Sequence, residues 1–398
     1  MVFTSILGAN NRNLKSHNIS AILLTLLNKQ TMSRAHLAQT LGVSNATISN
    51  LINDLSDQGL VEDSGIVLNE GNVGRPQREI QLVAHARYAI GVHFDVGTVY
   101  IGITNLAGDI IVETHFNHGR DANWQTVLDQ VINHVSTLIA EASVQSQNIV
   151  GIGVGASGLV NVQTGVNVIA PNLHWHHVPI ADYLQERLNI PTMVDNNVRA
   201  MALGEAMFGI ASNIHAMAFI YGRVGVGAGL VVRGQLFRGA GAGAGEIGHT
   251  MLMLANATHE PAPQPLEHLV SESAILALAH HAKQNPTLTL ADVFAMARAD
   301  DPEMLAILAD QAFYVGIASA NLINIFNPEM IILGGIFHDA QDMMLPKIEQ
   351  TMRDYAFADL GTGVELAVTS FGKKAGMIGS AALALDVFFY RPEQQLRI

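Results

Sequence analysis

Apolar residues recur at helical spacing near the start of the chain, between residues 31 and 60. The spacing predicts two short amphipathic helices joined by a tight turn at Leu41-Gly42-Val43. Ser33 and Ser44 stand where the N-cap of each helix would lie. One buried face is expected, formed by Leu37, Leu41, Ile48, Leu51, Ile52 and Leu55. This pattern is typical of a helix-turn-helix whose second helix enters a major groove of DNA.

The opposite face of the second predicted helix is polar and can form hydrogen bonds with base edges. A helical hairpin inside an ordinary core would show the same apolar spacing and bind nothing. The charge distribution favours DNA, because the first fifty residues contain four basic side chains and no acidic one. We expect Lys15 and Arg34 to hold phosphates. On the second predicted helix, the residues expected to bind DNA are Ser44, Asn45, Thr47, Ser49 and Asn50.

The segment Val61 to Leu82 has the pattern of a wing, with short apolar runs around a Gly-rich tip. The tip reads Asn72-Val73-Gly74-Arg75-Pro76. An arginine held at a loop tip between Gly and Pro is well placed to enter a minor groove, so Arg75 completes the predicted DNA-binding set. The first part of the chain is therefore predicted to be a winged helix-turn-helix.

Beyond the wing, the same order of elements occurs twice. Three strands with glycine turns are predicted over residues 88–116, and a second triplet is predicted over residues 214–238. Each triplet is followed by helices that alternate with single strands. The alternative is that the repeated order arises by chance, since short apolar runs are easily mistaken for strands. We predict an α/β body of two lobes with a cleft between them. The expected domains are residues 1–83, 84–210 and 211–398, and the C-terminal helix is expected to pack back on the first lobe.

Composition narrows the class of protein. The net charge of -13 by itself disfavours a nucleic-acid binder. Residues 1–80, however, carry six basic and six acidic side chains, so all of the net negative charge lies in the rest of the chain. The absence of cysteine excludes disulfides and thiolate metal sites. No signal peptide or membrane span is apparent, so a cytoplasmic location is expected. The high apolar content suggests large buried interfaces, and hence a homodimer or homotetramer.

The body resembles the ROK family of repressors and sugar kinases, chiefly through VGVGAGLVVRGQLFRGAGAGAGEIGH, which spans Val224 to His249. The head is also similar to the repressors of that family, through SRAHLAQTLGVSNATIS and GRPQREIQL. The resemblance implies an actin-like, sugar kinase-like body of duplicated βββαβα halves behind the winged helix. It also implies a sugar site. The residue types suit such a site, because amides, carboxylates and imidazoles can bond hydroxyl groups, which both donate and accept hydrogen bonds. The implied sugar-binding residues are Asn172, Asn196, Asn197, Glu246, His249 and Glu267.

The chain departs from the kinases of this family at three places. The catalytic aspartate of the kinases is matched by Asn197, and an amide does not accept a proton at neutral pH. Asp195 stands two residues earlier, about 6 to 7 Å away along an extended chain, which is too far to replace it. The first phosphate turn lacks its second glycine and its lysine, and the second turn reads Arg223-Val224-Gly225 where the kinases have Gly-Thr-Gly. Arg223 could alternatively bind an anion. The changes indicate that phosphoryl transfer is lost and that ATP is not a cofactor.

Two further features leave alternatives open. Family members often hold zinc with the GEIGH histidine and three cysteines, and this chain has none of those cysteines. His249, His259, Glu260 and His268 could form a metal site, but surface histidines in a Pro-rich loop are more often solvated, so we expect no zinc. Trp175, within a cluster of histidines beside the predicted sugar loop, could stack on a sugar or merely cover the lobe.

The sequence therefore predicts a sugar-responsive transcriptional regulator, most simply a repressor, that binds double-stranded operator DNA as an oligomer. The alternative is an ATP-dependent sugar kinase with a regulatory DNA-binding head. A third hypothesis is a regulator that responds to a protein partner in place of a sugar.

Overall fold

A computed structural model of the chain describes residues 11–68, 77–119, 121–256 and 259–392. The head begins with a long helix and contains a small three-stranded sheet of order β1-β3-β2. Its elements in chain order are α1 (Asn11–Lys29), β1 (Thr31–Ser33), α2 (Arg34–Leu41), α3 (Asn45–Asp57), β2 (Val61–Leu68) and β3 (Gln77–Leu82).

The predicted helix-turn-helix is present, and local chemistry explains its boundaries. The Ser33 side chain caps α2 by accepting a hydrogen bond from the His36 backbone N–H, and Ser44 caps α3 by accepting one from the Thr47 N–H. Gly42 ends α2 with a φ of 65°, a left-handed conformation that glycine adopts without strain. Ile48 and its apolar neighbours on α3 are buried, as the spacing predicted.

The wing is an antiparallel hairpin of β2 and β3, with β1 added on the other side of β3. Its predicted tip, including Arg75, lies outside the described residues. The head is continuous with the next part of the fold, because Ile22, Leu26 and Ile52 of the head belong to the same hydrophobic cluster as Ile90 and Val154 of the first lobe.

The first lobe follows a short 3-10 turn and is built around a five-stranded sheet. Its elements are β4 (Tyr88–Asp95), β5 (Thr98–Asn105), β6 (Ile110–Asn117), α4 (Trp124–Glu141), β7 (Ile149–Ala156), β8 (Leu159–Asn161), β9 (Val166–Ala170), β10 (Trp175–Val178), α5 (Ile180–Leu188), β11 (Thr192–Asn196) and α6 (Asn197–Phe208).

The second lobe contains another five-stranded sheet and most of the helices. Its elements are β12 (Ala216–Gly222), β13 (Val226–Val232), β14 (Gln235–Leu236), β15 (Met251–Asn256), β16 (His259–Pro265), α7 (Glu267–Val270), α8 (Glu272–Lys283), α9 (Leu290–Arg298), α10 (Pro302–Phe326), β17 (Met330–Gly335), α11 (Ile336–Asp339), α12 (Gln341–Tyr355) and β18 (Glu365–Val368), and the chain continues into α13 (Ala375–Leu385).

The two large sheets have the same topology. The strand order is β6-β5-β4-β7-β11 in the first lobe and β14-β13-β12-β17-β18 in the second. In each sheet the first three strands of the lobe are antiparallel and the two later strands add in parallel. This repeat agrees with the duplicated halves predicted from the sequence. The small sheet β8-β9-β10, the helices α5, α8 and α9 and the hairpin β15-β16 were not predicted.

Two helices rich in small residues, α6 and α13, lie between the sheets. A Cβ atom at Gly204 of α6 would lie 3.0 Å from the Gly379 Cα of α13, so the two helix backbones almost touch. On the other side of α13, a Cβ at Gly153 of β7 would lie 1.7 Å from the Ser380 carbonyl oxygen. On the other side of α6, a Cβ at Gly229 of β13 would lie 2.7 Å from the Val198 carbonyl oxygen. The C-terminal helix therefore returns to the first sheet, and α6 contacts the second sheet.

The helix α10 is long and apolar enough to cross a membrane on length and composition alone. More than half of its most apolar stretch is buried, and it packs along α12. Ala312, Val315 and Ile323 of this helix belong to the hydrophobic core of the second lobe. Its apolar character is explained by this burial.

The contact between α13 and the first sheet gives a stability prediction. We expect Gly153→Ala to lower the free energy of unfolding by about 2 kcal/mol or more, because a methyl group would overlap a backbone oxygen that cannot move independently of α13. Gly119→Ala is the matched control, since its added Cβ would meet no atom within 4 Å. Urea unfolding of the full chain measures both. Equal stability of the two variants would contradict the packing described.

Candidate functional site

A cleft of about 510 Å³ lies between the lobes. It opens where β4, β7 and β11 of the first sheet end and where the turn between β12 and β13 of the second lobe approaches them. The structure brings all the predicted sugar-binding residues to the wall of this one cavity, and they are Asn172, Asn196, Asn197, Glu246, His249 and Glu267.

Asn196 and Asn197 stand at the start of α6, and both line the cleft. The Asn196 side chain is engaged in structure: its Oδ1 accepts from the Val198 and Arg199 backbone N–H groups, and its Nδ2 donates to the Gly158 carbonyl oxygen at 3.0 Å. Asn196 is therefore the N-cap of α6, and it also links the start of this helix to the turn at Gly158. Asn197 is 8% exposed at the cavity wall, and its Oδ1 accepts from the Val198 backbone N–H at 3.0 Å. Among the described residues, only one end of its amide is bonded, whereas both ends of the Asn196 amide are, so Asn197 is the better placed of the two to bind a ligand.

The second lobe supplies two acidic side chains of the cleft, Glu246 and Glu267, and Asp95 of β4 adds a third from the first lobe. The backbone before Glu246 is held against β13, since Ala228 N–H donates to the Gly245 carbonyl oxygen at 2.7 Å. Gly245 has a φ of 94° and a Cβ there would lie 1.9 Å from the Ala228 oxygen, so this position requires glycine. His249 Nδ1 lies 3.7 Å from Glu267 Oε1, and Asn172 faces them from a 3-10 turn on the first lobe.

Asp195 does not line the cleft. It is fully buried, and its Oδ1 and Oδ2 accept hydrogen bonds from Arg199 Nε at 2.7 Å and from Arg238 Nε at 2.8 Å. Arg199 also donates to the Ala242 carbonyl oxygen. This charge cluster ties the loop between β14 and Glu246 to the first lobe, and it explains why Asp195 is not available as a base. The i, i+4 spacing of Asp195 and Arg199 was the only sequence signal for it.

Behind the main cleft lies a rear cavity of about 80 Å³, which shares Asp95, Tyr221 and Arg223 with it. Tyr100 stands where the kinases' lysine was expected, and its ring stacks between His93 and His115 at centroid distances of 6.2 and 5.8 Å. Burial lowers the pKa of His93 and raises the pKa of Tyr221, so both are neutral at pH 7. The rear cavity is small, and its wall combines the rings of His93, Tyr100 and Tyr221 with charged side chains that include Asp339 and Lys373.

Arg223 stands at the boundary between the two cavities. Its guanidinium lies 3.6 Å from Glu272 Oε2 and 3.8 Å from Asp339 Oδ2. Its backbone is fixed on both sides, because its N–H donates to the Gly225 oxygen and its carbonyl accepts from the Glu272 N–H.

Trp175 is buried in the first lobe and packs edge-on against Phe94 at a centroid distance of 5.3 Å. It is absent from the wall of the cleft, so of the two alternatives left open by the sequence, the burial favours a structural role in the lobe over stacking on a sugar. The side chains of His259 and Glu260, from the alternative metal site, lie outside the described residues. Among the side chains described, no three potential ligands are grouped to hold a metal ion.

On the head, α3 presents Asn45 and Asn50 as exposed side chains, whereas Thr47 and Ser49 are half-buried. The Ser44 hydroxyl is occupied as the N-cap and lies 2.8 Å from the Thr47 hydroxyl, so these two residues shape the helix start. Ala46 is exposed on the same face and was missed, because alanine carries no polar signal; its methyl group could contact a thymine methyl.

The two predicted phosphate contacts flank the later part of α3. Lys15 Nζ pairs with Asp54 at 2.7 Å, and Arg34 Nη1 donates to Asn53 Oδ1 at 3.0 Å. Lys15 and Asp54 are both largely exposed, and an exposed pair of this kind contributes little stability and can exchange for a phosphate.

Comparisons with known proteins agree with this geometry. A sequence profile described as the ROK family matches residues 89–387. The chain is 26% identical to the xylose repressor of Bacillus spizizenii, over 94% of this chain and 96% of that protein. It is 29% identical to a glucokinase of Halalkalibacterium halodurans, over 75% of this chain and 94% of that protein. A solved ROK family transcriptional regulator, described as a homologue of the E. coli Mlc protein, superposes with a TM-score of 0.79 at 23% identity and covers 94% of this chain and 97% of its own.

The buried charge cluster gives a second prediction. Asp195→Asn leaves the guanidinium of Arg199 buried without its counter-charge, so we expect the free energy of unfolding to fall by about 3 to 5 kcal/mol. Asp310→Asn, on an exposed side chain, is the matched control and should be neutral. Thermal and urea unfolding measure the difference. A stable, fully folded Asp195→Asn protein would show that the cluster does not hold the lobes as described.

Proposed function

Because the chain belongs to the ROK family, we propose that it is a sugar-responsive transcriptional repressor that reads operator DNA with α3 and senses a monosaccharide in the interlobe cleft. One observation carries the proposal: a single chain joins a helix-turn-helix with an exposed polar face to a ligand-sized cleft in which six polar side chains converge. The similarity to a xylose repressor extends over both parts.

The chemistry of the cleft suits a sugar. Amides, carboxylates and an imidazole surround the cavity, and each can match a hydroxyl group that donates one hydrogen bond and accepts others. Hydrogen bonds to carboxylates such as Glu246 and Glu267 are stronger than neutral ones. A ligand that lacked the matching hydroxyls would leave buried polar groups unpaired, which gives such a site its specificity.

The same geometry argues against phosphoryl transfer, although glucokinases are among the relatives. The residue at the base position is Asn197, and the nearby Asp195 is sealed in ion pairs with two arginines. The rear cavity of about 80 Å³ is far below the roughly 300 to 1,000 Å³ of usual ligand pockets. Arg223 and Tyr100 occupy the places where the kinases keep open phosphate turns. We therefore propose a binding protein without ATP-dependent activity.

The DNA-binding part of the proposal requires more than one copy of the chain. A helix-turn-helix reads one half-site, and a second head doubles the contact when the copies are related by two-fold symmetry. We propose a homodimer or homotetramer on double-stranded operator DNA in the cytoplasm. A regulator controlled by a protein partner is the other hypothesis, and a sugar panel without effect would favour it.

Sugar binding would act on the head through the lobes. The wall of the cleft comes from both lobes, so a ligand that binds one relative lobe orientation more tightly shifts the population towards it. The head shares its hydrophobic cluster with the first lobe. The relative position of paired heads would therefore depend on how the first lobe sits against the second lobe within the oligomer.

Separate variants test the two halves of the function. Asn50→Ala should weaken operator binding by about 1 to 3 kcal/mol through lost base contacts, and should keep the thermal stabilisation by sugar. Glu267→Gln should do the reverse, binding the operator normally but losing the sugar response. Fluorescence anisotropy with labelled operator and a thermal-shift screen of glucose, fructose, xylose, N-acetylglucosamine and N-acetylmannosamine measure these effects. Asn133→Ala and Glu365→Gln, both exposed, are the controls.

If Asn50→Ala left operator binding unchanged, α3 would not be the reading helix. If every sugar left both the melting temperature and the operator affinity unchanged in the wild-type protein, the sensing half of the proposal would fail.

A kinase assay tests the absence of turnover. We expect no ADP release with ATP and any sugar of the panel, and we expect the same for Asn197→Asp. The new carboxylate would restore a base, but the rear cavity would still lack room for the triphosphate. A ROK glucokinase serves as the positive control. Sugar phosphate formed by the wild-type protein would contradict the proposal, and turnover by Asn197→Asp alone would show that the rear cavity is not the obstacle.

A further inference from the structure

The described walls of the main cleft are acidic. Asp95, Glu246 and Glu267 line the cavity, and Arg223 is the single arginine or lysine among the described lining residues. Three carboxylates against one guanidinium leave a net negative charge where a ligand would lie. A low-dielectric cavity strengthens such charge effects relative to water. An anionic ligand would therefore be repelled by the same side chains that suit neutral hydroxyl groups.

Arg223, the one arginine among the described residues of this wall, already has acidic partners behind it. It lies beside Glu272 and Asp339, which belong to α8 and α11 and are both half-buried. Burial alone would lower the pKa of Arg223, but Tyr221, Asp95 and Glu272 raise it, so the side chain remains a cation held among acidic groups. Two backbone hydrogen bonds fix the turn that carries it. Arg223 is consequently held in place with its charge already balanced.

We propose that the effector is an uncharged sugar, and that Arg223, balanced by Glu272 and Asp339, is a specificity-determining residue that excludes phosphorylated and carboxylated sugars. The inference rests on the proposed function and adds the chemical class of the ligand. A guanidinium without partners would be a good ligand for a phosphate. The carboxylates of Glu272 and Asp339 occupy that role, so a sugar phosphate would have to displace them and face the acidic wall.

The position of Arg223 also limits the length of the ligand. The side chain belongs to the walls of both cavities, and the rear cavity of about 80 Å³ is much smaller than the main cleft of about 510 Å³. A substituent that extended from a sugar towards the rear would meet Arg223 and its carboxylates. The cleft therefore fits a monosaccharide without a charged extension.

The test compares neutral sugars with their charged derivatives on the full-length protein. Calorimetry and operator-binding titrations would use glucose, glucose 6-phosphate and glucuronate, together with N-acetylglucosamine, its 6-phosphate and xylose. We expect at least one neutral sugar to bind and every charged derivative to bind at least about a hundredfold more weakly than its parent. The discrimination should shrink as ionic strength rises, because charge repulsion is screened by salt.

Freeing Arg223 should weaken the preference for the uncharged sugar over its phosphate. In the double variant Glu272→Gln/Asp339→Asn the guanidinium loses its balancing charges, so we expect the affinity for the 6-phosphate relative to its parent sugar to rise at least about tenfold. Asp359→Asn/Glu365→Gln makes the same change of charge on exposed residues away from the cleft and should leave the ratio unchanged. Thermal unfolding of each variant establishes that it is folded.

A wild-type protein that binds a sugar phosphate as tightly as the parent sugar would overturn the inference while leaving the sensor function intact. So would discrimination that does not respond to salt, a result that needs no variant to fold. An unchanged ratio in the folded double variant would remove Arg223 from the account of specificity. No response to any sugar, neutral or charged, would overturn the proposed function together with this inference.

Discussion

The close crossing of α6 and α13 is the constraint on which the rest of the structure depends. The two helices approach where Gly204 faces Gly379, a contact that any larger residue would push apart. α13 lies on the first sheet, and α6 lies against β13 of the second. Because α13 packs mainly on the first sheet and α6 packs on β13 of the second, the contact between the two glycines lies on the path that joins the two sheets.

The crossing also decides where the polar groups of the cleft lie. α6 begins at the cavity wall, so its first residue, Asn197, lines the cleft. One residue before α6, Asn196 caps the helix, and Asp195 anchors the loop that leads to Glu246 through Arg199 and Arg238. A single stretch of chain therefore holds the helix, the loop and the site together. The ion pairs of Asp195 with Arg199 and Arg238 thus position residues of the site without lining the cleft themselves.

Local patterns in the sequence predicted much of this architecture. Alternating apolar residues and glycine turns located the strands of both large sheets, and serine caps located α2 and α3. The convergence of Asn172, Asn197 and Glu267 on one cavity followed from family resemblance, since residues so far apart in the chain carry no local signal of proximity. Their role in binding a sugar stays a prediction, as do the domain boundaries.

The features that the sequence did not predict have physical explanations. The strands β8, β9 and β10 are only three to five residues long, too short for a periodic pattern to stand out. The sequence left Trp175 between stacking on a sugar and covering the lobe, and only its tertiary packing against Phe94 favours the second. The place of Tyr100 in the wall of the rear cavity depends on its ring contacts with His93 and His115 on neighbouring strands, which the sequence does not display.

The head and the first lobe share one hydrophobic cluster, and this bears on protein engineering. A chimaera that grafted this head onto another sugar-sensing body would expose leucine and isoleucine side chains at the joint unless the recipient surface were redesigned to cover them.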